Sequence, residues 1–164
     1  MLIAHLPAGY LVGRLMERAA PGARGLMAAA LVGSVVPDFD MAYFYFVDGG
    51  RTHHHKFFTH WPLFWLVVST VAVTASSLRP SLRPAVVAAS LSVMLHMILD
   101  SVAAPMWWLM PFSDQRIELF PVPATFSDWR LSFVTHWTFL VELAICVTAA
   151  TLLFRRGRRH QNEA

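Results

Sequence analysis

His96 and Asp100 stand four residues apart in an otherwise apolar stretch. On a helix this spacing projects both side chains from one face about a turn apart, so that they could share one divalent ion or hold two adjacent ones. A carboxylate inside an apolar span costs ~2.5–3.5 kcal/mol on insertion scales, and such residues pair, line a cavity or bind an ion. A private His–Asp hydrogen bond that fastens two helices is the alternative use of the pair. The run HHHKFFTH, residues 53–60, adds four histidines and a lysine. Neutral imidazole suits zinc and other first-row ions, and mixed His/Asp shells are typical of hydrolytic sites rather than closed structural zinc. His55 and His60 flank a short turn and are the expected ligands. Three adjacent histidines cannot all point inward, which leaves His53 and His54 at an interface or behind the ligands.

The stretch VVPDFD, residues 35–40, ends a helix at Pro37 and offers two carboxylates on a turn. Residues two apart do not share a helical face, so one of Asp38 and Asp40 is expected to bind metal while the other caps or orients a neighbour. Asp40 is the favoured ligand, and Asp38 is the favoured general base. Helix caps or solvated loop acids are the plain alternative. His5 and His136 complete the candidate metal ligands, each with the competing role of a satisfied core histidine. Glu142 follows His136 by six residues, about 240° around a helix, so the two should not serve one ion; helix pairing or support behind the ligands is left to it. Lys56, Arg116 and Arg130 could hold a phosphate, with Lys56 the catalytic candidate among them.

The elements that must position these groups are membrane helices. Of 164 residues, 56% are hydrophobic and only 14% charged, against roughly a quarter charged in an ordinary soluble domain. No linker, low-complexity tract or repeat divides the chain, so residues 1–154 read as one membrane-embedded domain and 155–164 as a basic tail. The lone Cys146 can form no internal disulfide. Arg155, Arg156, Arg158 and Arg159 follow an apolar run, which is the expected flank of a membrane helix rather than a nucleic-acid patch. Trp61–Leu78, Pro84–Ala104 and Leu131–Phe154 each approach the ~20 residues that cross a bilayer; 25–36 and 2–16 suit shorter N-terminal membrane helices. The start of the chain lacks the basic run and cleavage site of a secretory signal and is expected to be retained.

Orientation follows from the cations. If Arg14, Arg18, Arg24, Arg79, Arg83 and the final arginine cluster share one side, that side holds nine of the thirteen Lys and Arg, and the positive-inside rule makes it cytoplasmic. Seven of the eight histidines, with Asp38, Asp40 and Asp100, then gather at the outer end, while Trp107, Trp108 and Trp129 fall at the outer interface. The fold expected is therefore an all-α integral membrane bundle, three long transmembrane helices with one or two shorter ones, multi-pass with its C-terminus cytoplasmic.

At these residues the chain resembles the YdjM family of inner-membrane metal-dependent hydrolases: His5 as its early histidine, PDFD for its Pro-Asp-x-Asp turn, HKFFTH for His-Arg-Gly-x-Thr-His and HMILD for His-x-x-x-Asp, followed by PFS at Pro111–Ser113. Lys56, Phe57 and Trp61 depart from that pattern. The pattern is itself similar to that of zinc-dependent phospholipases C, and by that looser likeness Asp40, His60, His96 and Asp100 match ligands. The resemblance implies a hydrolase that uses one or two divalent ions, zinc first, with three as the upper limit, to cleave a phosphoester of a lipid or lipid-linked substrate in the outer leaflet. A membrane metal carrier or sensor, or a structural protein without catalysis, are the rival classes; transport would require polar residues to continue to the cytoplasmic end, and the inner halves of the long spans carry almost none.

Overall fold

A computed structural model describes residues 1–162; Glu163 and Ala164, the last two positions of the expected tail, and the side chains of Arg159, His160 and Asn162 lie outside the described residues. Seven α-helices follow one another: α1 His5–Ala19, α2 Leu26–Val35, α3 Asp40–Tyr43, α4 Pro62–Ala75, α5 Arg83–Ala103, α6 Trp129–Thr135 and α7 Phe139–Asn162. The only strand-like feature among the described residues is an isolated antiparallel bridge between Met106 and Ile117. The chain is all-helical, as composition leads one to expect, but its membrane segments differ from the sequence expectation.

Among the described residues, two helical segments are long and apolar enough to cross a membrane, Leu26–Asp48 and Arg83–Ala103, and a third candidate exists only if a bent pair is taken together. α2 ends at Val35, two residues before Pro37, but the chain stays helical. Pro37 enters at the start of a 3-10 turn, Val36–Phe39, that joins α2 to α3, and Pro is tolerated there because a first turn needs no N–H from it. The expected short helix at 25–36 is thus part of a 23-residue helical segment. Trp61–Leu78, expected as a full span, is a 14-residue α4 closed by a 3-10 turn at Ser76–Leu78. Leu131–Phe154, expected as one helix, breaks at residues 136–138, where α6 and α7 meet at 69°. His136 there takes extended dihedrals, and with neither Gly nor Pro nearby the composition gives no sign of the break.

α2 lies between α1 and α5 and packs on both. Small residues set that approach. A Cβ on Gly33 would meet the backbone of Ala89, and one on Gly9 would lie 2.9 Å from the Ala30 carbonyl; backbone cannot yield as a side-chain tip can, so glycine is required at both crossings. Leu26, Ala30 and Ala88 form the apolar core beneath, with Val12 and Met16 against it. The exposed apolar residues Leu66, Val71, Leu140, Val147 and Leu153 of α4 and α7 suit a lipid surround.

α7 runs alongside α1 in the same direction, pinned at two levels. Near its start the fully buried Glu142 accepts hydrogen bonds from the N–H groups of Leu2 (2.8 Å), Ile3 (2.6 Å) and Ala4 (3.1 Å). Near its end Arg156 reaches Glu17 at 3.1 Å. The loop after α5 folds back on it: Leu119 and Phe120 donate to the carbonyls of Ser101 and Val102, and Trp108 donates to Ser101 Oγ. Trp107, expected at an interface, is instead buried, while Trp129 is exposed.

Candidate metal centre

Each histidine of the cluster is oriented by the element that carries it. The start of α4 is set by Pro62, so His60 ends the preceding 3-10 turn, Phe58–His60. His55 lies in the turn His54–Lys56, whose start is capped by the His53 ring accepting from the His55 N–H. His96 and Asp100 share one face of α5, which stops at Ala104 in extended geometry, the conformation that a following proline imposes. His5 opens α1 just after the three N–H groups that Glu142 holds.

In three of these imidazoles Nδ1 is already engaged. His96 Nδ1 donates to the Ser34 carbonyl at 2.8 Å, His55 Nδ1 to the Pro105 carbonyl at 3.1 Å, and His60 Nδ1 to Asp40 Oδ2 at 2.5 Å. Such bonds fix the ring orientation and leave Nε2 as the atom that can ligate, as at metal-ligating histidines generally. The Nε2 atoms converge. His96 Nε2 lies 3.1 Å, His55 Nε2 3.6 Å and His60 Nε2 3.9 Å from Asp100 Oδ2, while His5 Nε2 is 3.1 Å from Asp100 Oδ1. The α-ammonium of Met1 also lies against Asp100 Oδ1. Asp38 Oδ1 faces His60 Nε2 at 3.5 Å and His96 Nε2 at 3.7 Å, with 37% of its side chain exposed. The rings of His5 and His96 stack at 3.7 Å.

Buried polar atoms are normally paired, yet His60 Nε2, His96 Nε2 and Asp100 Oδ2 are buried without a hydrogen-bond partner. Three groups have ligand atoms within 4.8 Å of one another: His60, His96 and Asp100; His5, Asp38 and His96; and His54, His55 and His60. The unpaired atoms belong to the first group, and their nitrogen and oxygen chemistry fits a divalent cation such as zinc. Burial holds the His55 pKa well below the ordinary imidazole value, and burial with the neighbouring His60 lowers that of His54 to about 4, so both are neutral and able to ligate at neutral pH. Burial opposes charge on His60 as well, but Asp38 and Asp40 outweigh it and raise its pKa to about 9.

Asp40 is buried and held by both His60 Nδ1 and Thr59 Oγ1. It lies behind His60, and Asp38 rather than Asp40 is the carboxylate among the converging atoms. His136 pairs with Thr138 at 2.9 Å and belongs to none of the three groups. Lys56 stands outside the cluster, 3.7 Å from Asp114 and 5.1 Å from the Trp107 ring. His54 joins the cluster although a run of three histidines gave no reason to select it, and Glu142 holds the N–H groups of Leu2, Ile3 and Ala4 just before His5. Beside Asp40 and Thr59 an open groove of about 450 Å³ is walled by Phe39, Tyr43, Phe57 and Phe58.

Residues 1–161 match the family model described as YdjM inner membrane protein. No curated protein and no solved structure matches the chain, so the looser likeness to zinc-dependent phospholipases C has no support from either.

Proposed function

The chain belongs to the YdjM inner membrane protein family, and from that premise we propose that it is a membrane-embedded metal-dependent hydrolase acting on a phosphoester of a lipid or lipid-linked substrate at the extracytoplasmic side. One observation carries this reading: buried Nε2 atoms of His60 and His96 and Oδ2 of Asp100 lack partners where they converge. His60, His96 and Asp100 would form the centre of the metal-holding cradle, with His5, His55 and Asp38 around them. A divalent ion there would supply Lewis-acid polarisation of the scissile group and lower the pKa of a water.

The chain's own residues supply the rest. Asp40 and the Ser34 carbonyl hold the imidazoles of His60 and His96 by Nδ1. Asp38 is the cluster's partly exposed carboxylate, and one that ligates through a single oxygen keeps the other to accept a proton from water. Lys56, which follows His55 in the chain and is partly exposed beside Asp114, is assigned to a substrate phosphate as a point charge. The aromatic groove beside Asp40 suits the apolar part of a lipid, and the cation distribution supports an outward-facing site with the C-terminus cytoplasmic.

Metal analysis of detergent-purified wild type beside His96→Ala and Asp100→Ala, with folding checked by circular dichroism, tests the reading. Zinc, manganese or a similar ion retained by the wild type and lost by folded variants supports it, and hydrolysis of phosphoesters that requires the ion completes it. A wild type that takes up none of these ions when challenged with them would sink the catalytic reading in favour of His–Asp pairs that only fasten helices.

A further inference from the structure

The three ligand groups overlap, and the overlap limits how they can be filled. His60 belongs to two groups and so does His96. The Nδ1 of each is committed, His60 to Asp40 and His96 to Ser34, so each offers one lone pair and can serve one ion only. The cradle therefore has two modes. Either a single ion takes His60, His96 and Asp100, or two ions take the outer groups, which share no residue.

The donor inventory favours the second mode. Seven residues contribute to the three groups, whereas zinc takes about four ligands. A central ion would leave the neutral His54 and His55 gathered beside it without a use. Asp100 also faces both sides: its Oδ2 lies 3.1 Å from His96 Nε2 of one outer group and 3.6 Å from His55 Nε2 of the other. Resting on the metal-centre reading above, we propose that the cradle holds two divalent cations at once, one on His54, His55 and His60 and the other on His5, Asp38 and His96, with Asp100 between them. His54 is then a ligand, and two ions held side by side would supply the chemistry of two-metal phosphoester sites. His54 has no part in the single-ion mode, which makes it the discriminating residue.

The test uses the full chain in detergent, loaded with zinc for stoichiometry and with manganese for electron paramagnetic resonance, beside His54→Gln. The expected results are about two zinc ions per wild-type chain, about one in the variant, and an exchange-coupled manganese signal in the wild type that becomes mononuclear in the variant. A wild type with about one ion and an uncoupled signal overturns the two-ion assignment, as does a folded variant that keeps both ions; either result leaves the metal-centre reading standing. A wild type that binds no ion removes the metal-centre reading itself. The wild-type signal depends on no variant, so a His54→Gln chain that fails to fold does not remove the test.

Discussion

Raising the pH from about 7 to about 8 is expected to tighten divalent-metal binding about tenfold, because one proton must leave His60 before an ion can use its Nε2. Without an ion, Asp38 and Asp40 hold the His60 pKa near 9. Competition at a single site weakens apparent affinity by a factor of 1 plus ten to the power of the pKa minus the pH, roughly 100-fold at pH 7 and 10-fold at pH 8. His54 and His55 titrate below the ordinary imidazole value, His54 at about 4, and burial likewise lowers His5. These three carry no proton to displace near neutrality, so the slope is one decade per pH unit rather than three or four. Calorimetric titration with manganese in two buffers of different protonation enthalpy gives both the affinity and the proton count; about one proton released per chain at pH 7.5 is expected. Affinity that is flat from pH 6.5 to 8.5, with no proton release, would refute the assignment of His60 as a ligand whose proton the carboxylates retain. The folding linkage has the opposite sign: a raised imidazole pKa contributes stability fully below about 6.5, and that contribution fades as pH rises through about 9. The ion-free protein should thus lose stability over the window in which metal binding strengthens.

Asp40→Asn removes the carboxylate that holds His60 Nδ1 and, compared near pH 9 where the His60 proton no longer competes strongly, should weaken metal binding by 10- to 100-fold without changing the saturated ion count, a split that equilibrium titration resolves. Glu142→Ala leaves the N–H groups of Leu2, Ile3 and Ala4 without their acceptor; at about 1–3 kcal/mol for a buried unsatisfied group, thermal unfolding in detergent should shift clearly downward, and an unchanged midpoint would mean that the N-terminal segment is not held there. Gly33→Ala drives a methyl into the Ala89 backbone and should cost about 1–3 kcal/mol by overpacking, while displacing the adjacent Ser34 carbonyl from His96 and lowering metal affinity with it. His136→Ala, whose ring pairs with Thr138 outside the three ligand groups, should leave metal content unchanged by mass spectrometry.

What the sequence determined by itself is what short-range geometry decides. A four-residue spacing on a helix brings His96 and Asp100 to one face whatever the rest of the fold does, and low charge with high apolar content leads to an all-helical membrane chain. Pairings between distant residues were open until the helices packed. Asp38 and Asp40 differ by two positions on a turn, and only the contact with Thr59 and His60 draws Asp40 behind the cluster and leaves Asp38 among the converging atoms. His54 is chemically the same as its two neighbours; the 3-10 turn that holds His54–Lys56 brings it close to His60. The break at residues 136–138 carries no Gly or Pro signal, and the hold of Glu142 on the first residues depends on α7 lying along α1 across the whole length of the chain. Local dihedral preference and side-chain periodicity act over a few residues, whereas the buried polar partners of a metal centre are set by which helices close on one another, and the backbone-to-backbone approach of Gly33 and Ala89 that closes them is a property of the packed structure alone.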